Sequence, residues 1–337
     1  MNFKDLTLAT GSLLVLSASL ASAQDLTISL WGGSYAEEFR RLIVEPFEKE
    51  YGVKVALDTG LSGERLAKLM ATRGRGTDIV YFTDYQMAEL AGRGLLQPVD
   101  AAALTNLDGV YDFAKDPLGD GLCPAFTVAA VGLAYNSEKA EKPTSWGDIF
   151  RDDIAGKKAF PDINISYGPL VVVQTAEMNG GGLDNVDTAF EKIASVKDNL
   201  QIFTGREILD SINQGDVAMA PHLNIFVKHD ESVPLRFTFP EEGGLGVLNV
   251  ACVTAATENK ELAEKFINFH LSKEVQEAML NGQGEGTVRK DVALPESSSY
   301  TLISPEDMEK LRFFDVKKIV ENRPEWIERW QEEVIAE

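Results

Sequence analysis

Between residues 24 and 97 the apolar positions switch repeatedly between two periods. "DLTISLW" (25–31) reads as a strand, and "SYAEEFRRLIVEPFEKEYG" (34–52) as a helix with Phe39, Leu42, Ile43 and Phe47 near one face, Gly52 as its stop and Pro46 as a kink or division. "VKVALDTG" (53–60) predicts a second strand. "SGERLAKLMATRG" (62–74) predicts a second helix, capped by Ser62, with Leu66, Leu69 and Met70 as its core stripe and Gly74 at its end. "TDIVYFTD" and "YQMAELAGRG" repeat the unit a third time. This alternation predicts an α/β fold with a doubly wound, mostly parallel sheet, in which ligands bind just beyond the carboxyl ends of the strands. Those ends fall at 32–35, 59–62 and 83–85.

The second half follows the same logic. "FTVAAVGLAYN" (126–136) is β-rich, "PTSWGDIF" looks like a helix start, and "GKKAFPD" is a short strand entering a loop that carries Asn164, Ser166 and Tyr167. Helices are expected over "GPLVVVQTAEMNGGG" (168–182), ending in its glycines, over roughly 185–196 and from Gly205 and Arg206, interleaved with the strands "LQIFT" and "VAMAPHLN". "GGLGVLNVACVTAAT" (243–257) returns as a β-run, "NKELAEKFINFHLSKEVQEAML" as helices, and Ser304–Pro305 opens a helix in the tail.

The first 23 residues differ from the rest. Lys4 supplies a positive start, "LTLATGSLLVLSASL" is an apolar stretch too short to span a bilayer comfortably, and "ASA" presents small residues before Gln24. This predicts a cleaved secretory signal peptide. Export bears on Cys123 and Cys252, which an oxidising compartment would bridge; two separate buried thiols is the other reading. The chain of 337 residues suits two domains, and its net charge of -21 argues against a nucleic-acid partner, since a phosphate backbone needs a basic face.

Catalytic signatures are missing from the sequence: GxSxG, HExxH, P-loop and GxGxxG patterns do not occur. Of the three histidines, His270 reads as the end of a core helix, His229 lies among surface charges, and only His222 falls at a strand end. What the chain offers instead is a set of polar and aromatic residues at strand ends and helix starts: Trp31, Ser34, Tyr35, Thr83, Asp84, Tyr85, Tyr167, Arg206, His222, Asn224 and Asn249. Ser34 and Arg206, at helix amino ends, suit a carboxylate or other anion, and Asp84 suits an amine. Each has a plainer reading: Ser34 and Asp84 as helix caps, Arg206 as a surface ion pair, Trp31 and Tyr167 as packing. The inference rests on their convergence on one edge.

The order of parts, from "DLTISLWGGSYAEEF" and "TDIVYFTDYQMAELAGRGLLQPVD" through "VGLAYN", "PTSWGDIF" and "INQGDVAMAPHLN" to "FPEEGGLGVLNVACVTAATENKELAEKFINFHLSKEVQEAM", resembles the periplasmic substrate-binding proteins of ABC importers, in the subgroup of the spermidine/putrescine receptors. The resemblance covers nearly all of the chain after residue 24. It implies a two-lobed periplasmic-binding-protein (type II) fold, each lobe a doubly wound mixed sheet, with the ligand cleft between lobes. It places 24–132 plus 247–292 in lobe 1 and 133–246 plus 293–337 in lobe 2. It also implies a periplasmic receptor without enzymatic activity, cofactor or metal, acting as a monomer that hands a small molecule to a membrane permease. Polyamine receptors place polar and aromatic groups where this chain has Ser34, Thr83 and Tyr85. They hold ammonium groups with aromatic rings and carboxylates where this chain has Val247, Pro221 and Asn249. That departure, with Arg206, favours a zwitterion such as 4-aminobutyrate held between Arg206 and Asp84. A polyamine, another small anion and a metal complex stay open, as does a secreted hydrolase built on His222.

Overall fold

The computed structural model describes residues 24–154 and 156–336, so the expected signal segment lies outside the described residues. Eleven strands run in chain order: β1 (Leu26–Trp31), β2 (Val55–Gly60), β3 (Ile79–Thr83), β4 (Leu96–Gln97), β5 (Ala125–Asn136), β6 (Lys157–Pro161), β7 (Leu200–Phe203), β8 (Val217–Leu223), β9 (Leu235–Thr238), β10 (Leu245–Thr254) and β11 (Gly286–Thr287). The helices are α1 (Ser34–Phe39), α2 (Glu45–Tyr51), α3 (Ser62–Thr72), α4 (Asp84–Gly92), α5 (Asp112–Lys115), α6 (Gly168–Met178), α7 (Asp187–Ser195), α8 (Glu207–Gln214), α9 (Lys260–His270), α10 (Lys273–Gln283), α11 (Pro305–Glu309) and α12 (Val316–Arg329).

The strands pair in the order β2-β1-β3-β10-β5-β8-β6-β7. β1, β2 and β3 are parallel, and so are β6, β7 and β8; the antiparallel pair β5/β10 joins the two groups. Both joining strands are shared. β5 pairs with β11 through Thr127 and Val128 and with β8 through Val131–Tyr135, while β10 pairs with β5 through Leu245–Val250 and with β3 through Asn249–Val253. All twelve residues of β5 are buried, as expected of a strand covered on both faces. Two main cores form on either side of this crossing. One is centred on Phe39, Phe47, Tyr81, Phe126 and Phe266, the other on Trp146, Phe160, Phe190 and Trp330.

Most predicted elements are present, and the departures have local causes. Residues 34–51 are one helical run, but Arg40–Val44 between α1 and α2 winds as a π-helix. Pro46, in the first turn of α2, supplies no N–H, which frees a carbonyl in the preceding turn and favours a wider turn there. Ser62 does not cap α3: it is the first helical residue, and its hydroxyl accepts the Trp31 indole N–H at 3.0 Å. Ser304 does cap α11, accepting the Asp307 N–H at 3.0 Å. In the tail, Ile303, Met308 and Val316 pack in the first core, whereas Ile319, Trp326 and Trp330 pack in the second, so the expected assignment of all of 293–337 to one lobe divides at α12. Cys123 and Cys252 form a disulfide, Cα–Cα 4.7 Å, in the first core beside the start of β5.

Candidate functional site

The turn after β1 sets the first wall of the cleft between the cores. Gly33 has φ 68°, a conformation open to glycine, and it turns the chain from the strand end directly into α1. Ser34 is exposed at that helix start and forms no capping bond, so its plainer reading as a cap fails. Trp31 meets Tyr35 edge-on at 5.4 Å, and the buried Arg65 guanidinium lies 5.6 Å from the Trp31 ring centroid and 4.2 Å from that of Phe82. Arg65 is held from below: Nε donates to Ser29 Oγ at 3.0 Å, and Nη2 donates to the carbonyls of Ser29 at 2.9 Å and Tyr81 at 2.6 Å. Burial lowers its pKa to about 10, which leaves it charged at neutral pH.

The sheet register then lines up a polar row. Asn249 of β10 lies opposite Thr83 on one side and Thr127 on the other, and its Nδ2 donates to Thr127 Oγ1 at 2.9 Å. Thr83, Asp84 and Tyr85 line a narrow cavity at the crossing together with Ser166, Gly246 and Val247. Asp84 departs from its expected role. It is 7% exposed, and its carboxyl group accepts from the Tyr85 N–H at 2.7 Å and faces the Leu248 amide. At the start of α4 the nearest unpaired donors are backbone amides, and the side chain turns to them rather than outward. Burial raises its pKa to about 7 against the pull of those amides.

The second wall is aromatic. His222, at the end of β8, is buried, stacked on Phe203 at 6.2 Å and edge-on to Tyr167 at 5.8 Å and Phe226 at 5.7 Å. Burial, and then the nearby Arg206, brings its pKa down to about 4, so the imidazole is neutral at physiological pH. Its contacts are rings and not a nucleophile, which removes the motive for the hydrolase reading. Tyr167 is buried before α6, with its hydroxyl pushed up by burial. Arg206 is exposed before α8, its guanidinium 4.9 Å from the Phe226 ring centroid. Asn224 is corrected to a strut: Oδ1 accepts the Ala130 N–H at 2.9 Å and Nδ2 donates to the Thr301 carbonyl at 2.7 Å, which commits both ends to backbone. Among the described residues no group of three or more His, Cys, Asp or Glu could hold a metal ion.

Arg323, which sequence reasoning missed, reaches this site from α12. Its guanidinium lies 5.4 Å from the Tyr85 ring centroid, Nη2 is 3.4 Å from Asn164 Oδ1, and Nε is buried without a partner among the described residues. Burial raises the Tyr85 hydroxyl pKa, with Arg323 pulling the other way. In "IVENRPEW" nothing separates Arg323 from a solvated helical arginine; only the packing of α12 against α4 brings it here.

A family model described as bacterial extracellular solute-binding protein matches residues 43–304. The chain belongs to this family. Among its relatives, the solute-binding protein is 26% identical over 310 residues to the spermidine/putrescine-binding periplasmic protein of Salmonella typhimurium, covering 89% of this chain and 86% of the relative. It is also 26% identical over 337 residues to the gamma-aminobutyric acid-binding protein of Pseudomonas aeruginosa, covering 93% and 92%. An ABC transporter structure from Clostridium perfringens superposes with a TM-score of 0.84 at 25% identity, covering 92% of this chain and 99% of that one. The fold is the two-lobed type II periplasmic-binding-protein fold, and the family is one of extracellular transport receptors.

Proposed function

We propose that this solute-binding protein is exported to the periplasm by its 1–23 segment and captures a small solute bearing both an amine and a carboxylate, of the 4-aminobutyrate type, for the permease of an ABC importer. Lobe 1 comprises 24–132 plus 247–292, and lobe 2 comprises 133–246 with the tail from α12 onward. The contacts come from Trp31, Ser34, Thr83, Tyr85 and Asn249 on one side and from Tyr167, Arg206 and His222 on the other, with Arg323 between them. The carrying observation is Arg323: a guanidinium with a buried, unpartnered nitrogen beside Tyr85 and Asn164 is a seat for a carboxylate. It works against a polyamine, whose charges are all positive. Val247, Pro221 and Asn249 offer no ring or carboxylate to offset that repulsion. Two relatives, one named for spermidine and putrescine and one for gamma-aminobutyric acid, bracket the choice.

Calorimetry with 4-aminobutyrate, putrescine and spermidine on the wild type and on Arg206→Ala tests the reading. The expected result is wild-type preference for 4-aminobutyrate and weakened binding in the variant. Tight putrescine binding that survives or improves in Arg206→Ala would replace the zwitterion by a polyamine.

A further inference from the structure

Three polar atoms at the first wall are shielded from solvent and have no hydrogen-bond partner among the described residues: Tyr35 Oη, Arg65 Nη1 and Glu285 Oε2. Arg65 is otherwise tied down by its bonds to Ser29 and Tyr81. Glu285 has the Tyr35 hydroxyl as its side-chain neighbour, and its Oε2 is otherwise unpartnered among the described residues. It sits in the turn between α10 and β11, where Gly286 pairs with Val128 of β5, and this sets the carboxyl group beside the crossing. Burial and the Tyr35 hydroxyl set its charge environment, while the Arg65 guanidinium of the same wall acts on Tyr35. Glu285 is half-buried with its Oε2 shielded from solvent, and a shielded carboxyl group with no cation paired to it is costly to ionise and suited to receive one from outside.

We propose that Glu285, with the Tyr35 hydroxyl beside it, receives the ammonium group of the solute, the role that Asp84, turned into the fold, does not fill. The inference rests on the receptor reading above and adds the residue that selects the amine. Burial raises the Glu285 pKa to about 8, so the carboxyl group is mostly protonated at neutral pH, and a cationic amine entering beside it displaces that proton. The groups around it stay fixed in charge: burial pushes the Tyr35 and Tyr81 hydroxyls well above their ordinary value, His270, 3.0 Å from Tyr81 Oη through Nδ1, is held down to about 3, and Arg65 stays cationic. Amine binding at neutral pH therefore releases close to one proton.

The test is titration calorimetry at about pH 7 in phosphate and in Tris, whose ionisation enthalpies differ, with 4-aminobutyrate, putrescine and the amine-free butyrate. In the wild type, proton release is expected with the amines and not with butyrate. Glu285→Gln should weaken amine binding at least about thirtyfold and abolish the release, while Asp84→Asn keeps the release. Glu285→Asp, which retains a shorter carboxylate, should bind more weakly and still release a proton. Thermal melts show that each variant is folded. Amine binding in folded Glu285→Gln within threefold of wild type, or with wild-type proton release, overturns the Glu285 assignment alone. A wild type that binds none of the amines overturns the receptor reading and this inference together.

Discussion

The wall of the first core carries unpartnered polar atoms on Tyr35, Arg65 and Glu285, whereas the wall of the second gathers Tyr167, Phe203, His222 and Phe226 around a neutral imidazole. On the proposed reading, charge discrimination falls to the first wall and to Arg323, and shape and desolvation to the second. The difference also separates the cores themselves. The first is stapled by Cys123–Cys252; the second holds together by packing of α7, α12 and the π-turn Trp330–Ile335.

The sharpest way to break this comparison is reduction. The bridge joins residues 129 apart, and removing such a bond typically costs about 2–5 kcal/mol. Cys123→Ala with Cys252→Ala should lower the melting temperature measured by calorimetry, and a reductant should lower that of the wild type while leaving the variant unchanged. An unchanged melt would show that the first core does not depend on its staple.

Next is acid. His222 has a folded pKa of about 4 against an ordinary 6.5, so its contribution is full above about pH 6.5 and is lost as pH falls through about 4. The loss approaches about 3 kcal/mol at full burial. Denaturant titrations at pH 7, 5 and 4 should show His222→Phe losing less stability than the wild type as pH falls, by up to about 3 kcal/mol; His270, at about 3, adds a loss of the same sign, while Asp84 and Glu285, held up to about 7 and 8, oppose it equally in both proteins. A decline unchanged in His222→Phe would mean that the second wall does not hold its histidine neutral.

A smaller effect is expected from α12. Arg323→Ala should reduce 4-aminobutyrate affinity by about 1.5–3 kcal/mol, the range for a hydrogen bond to a charged group, and leave butylamine binding unaffected, as titration calorimetry would show. Equal losses for both would reduce Arg323 to a packing role on Tyr85. Smallest is Ser62→Ala. It removes the acceptor of the Trp31 indole and should cost about 1 kcal/mol in thermal unfolding with a modest drop in affinity, because the ring loses its tether and keeps its edge-on contact with Tyr35.

The fold was largely legible, because strand and helix periods are short-range signals that "TDIVYFTD" and "NKELAEKFINF" carry within a few residues. The site was legible only as far as strand ends go. Trp31, Ser34, Thr83 and Tyr85 could be placed from the period alone, but the direction of a side chain at such an end depends on its neighbours. Asp84 and Asn224 found backbone amides and carbonyls close by and turned to them. Glu285 and Arg323 come from the turn after α10 and from the tail helix, 202 and 240 residues beyond Thr83 if the positions are subtracted (285 − 83 and 323 − 83), and no local pattern joins them to it. The bridge could be anticipated as one of two readings, because export makes it favourable and both cysteines lie in β-runs beside the crossing.

The pairing of β5 with β10 sets Ala129 directly against Val247, so the stretch that builds the second core leaves and re-enters the first through neighbouring strands, spaced roughly 4.8 Å apart. In this respect the middle of the chain is an insertion with adjacent ends, the arrangement in which one module can be exchanged for another without moving its host. A recombinant that swaps 133–246 for the equivalent stretch of a relative should therefore keep the first wall and its Glu285 intact while changing the aromatic wall wholesale. The exchange has one condition set by the tail: α12 lends Ile319, Trp326 and Trp330 to the second core, so it has to travel with the module it covers. A receptor built this way can acquire a new solute by trading one wall at a time.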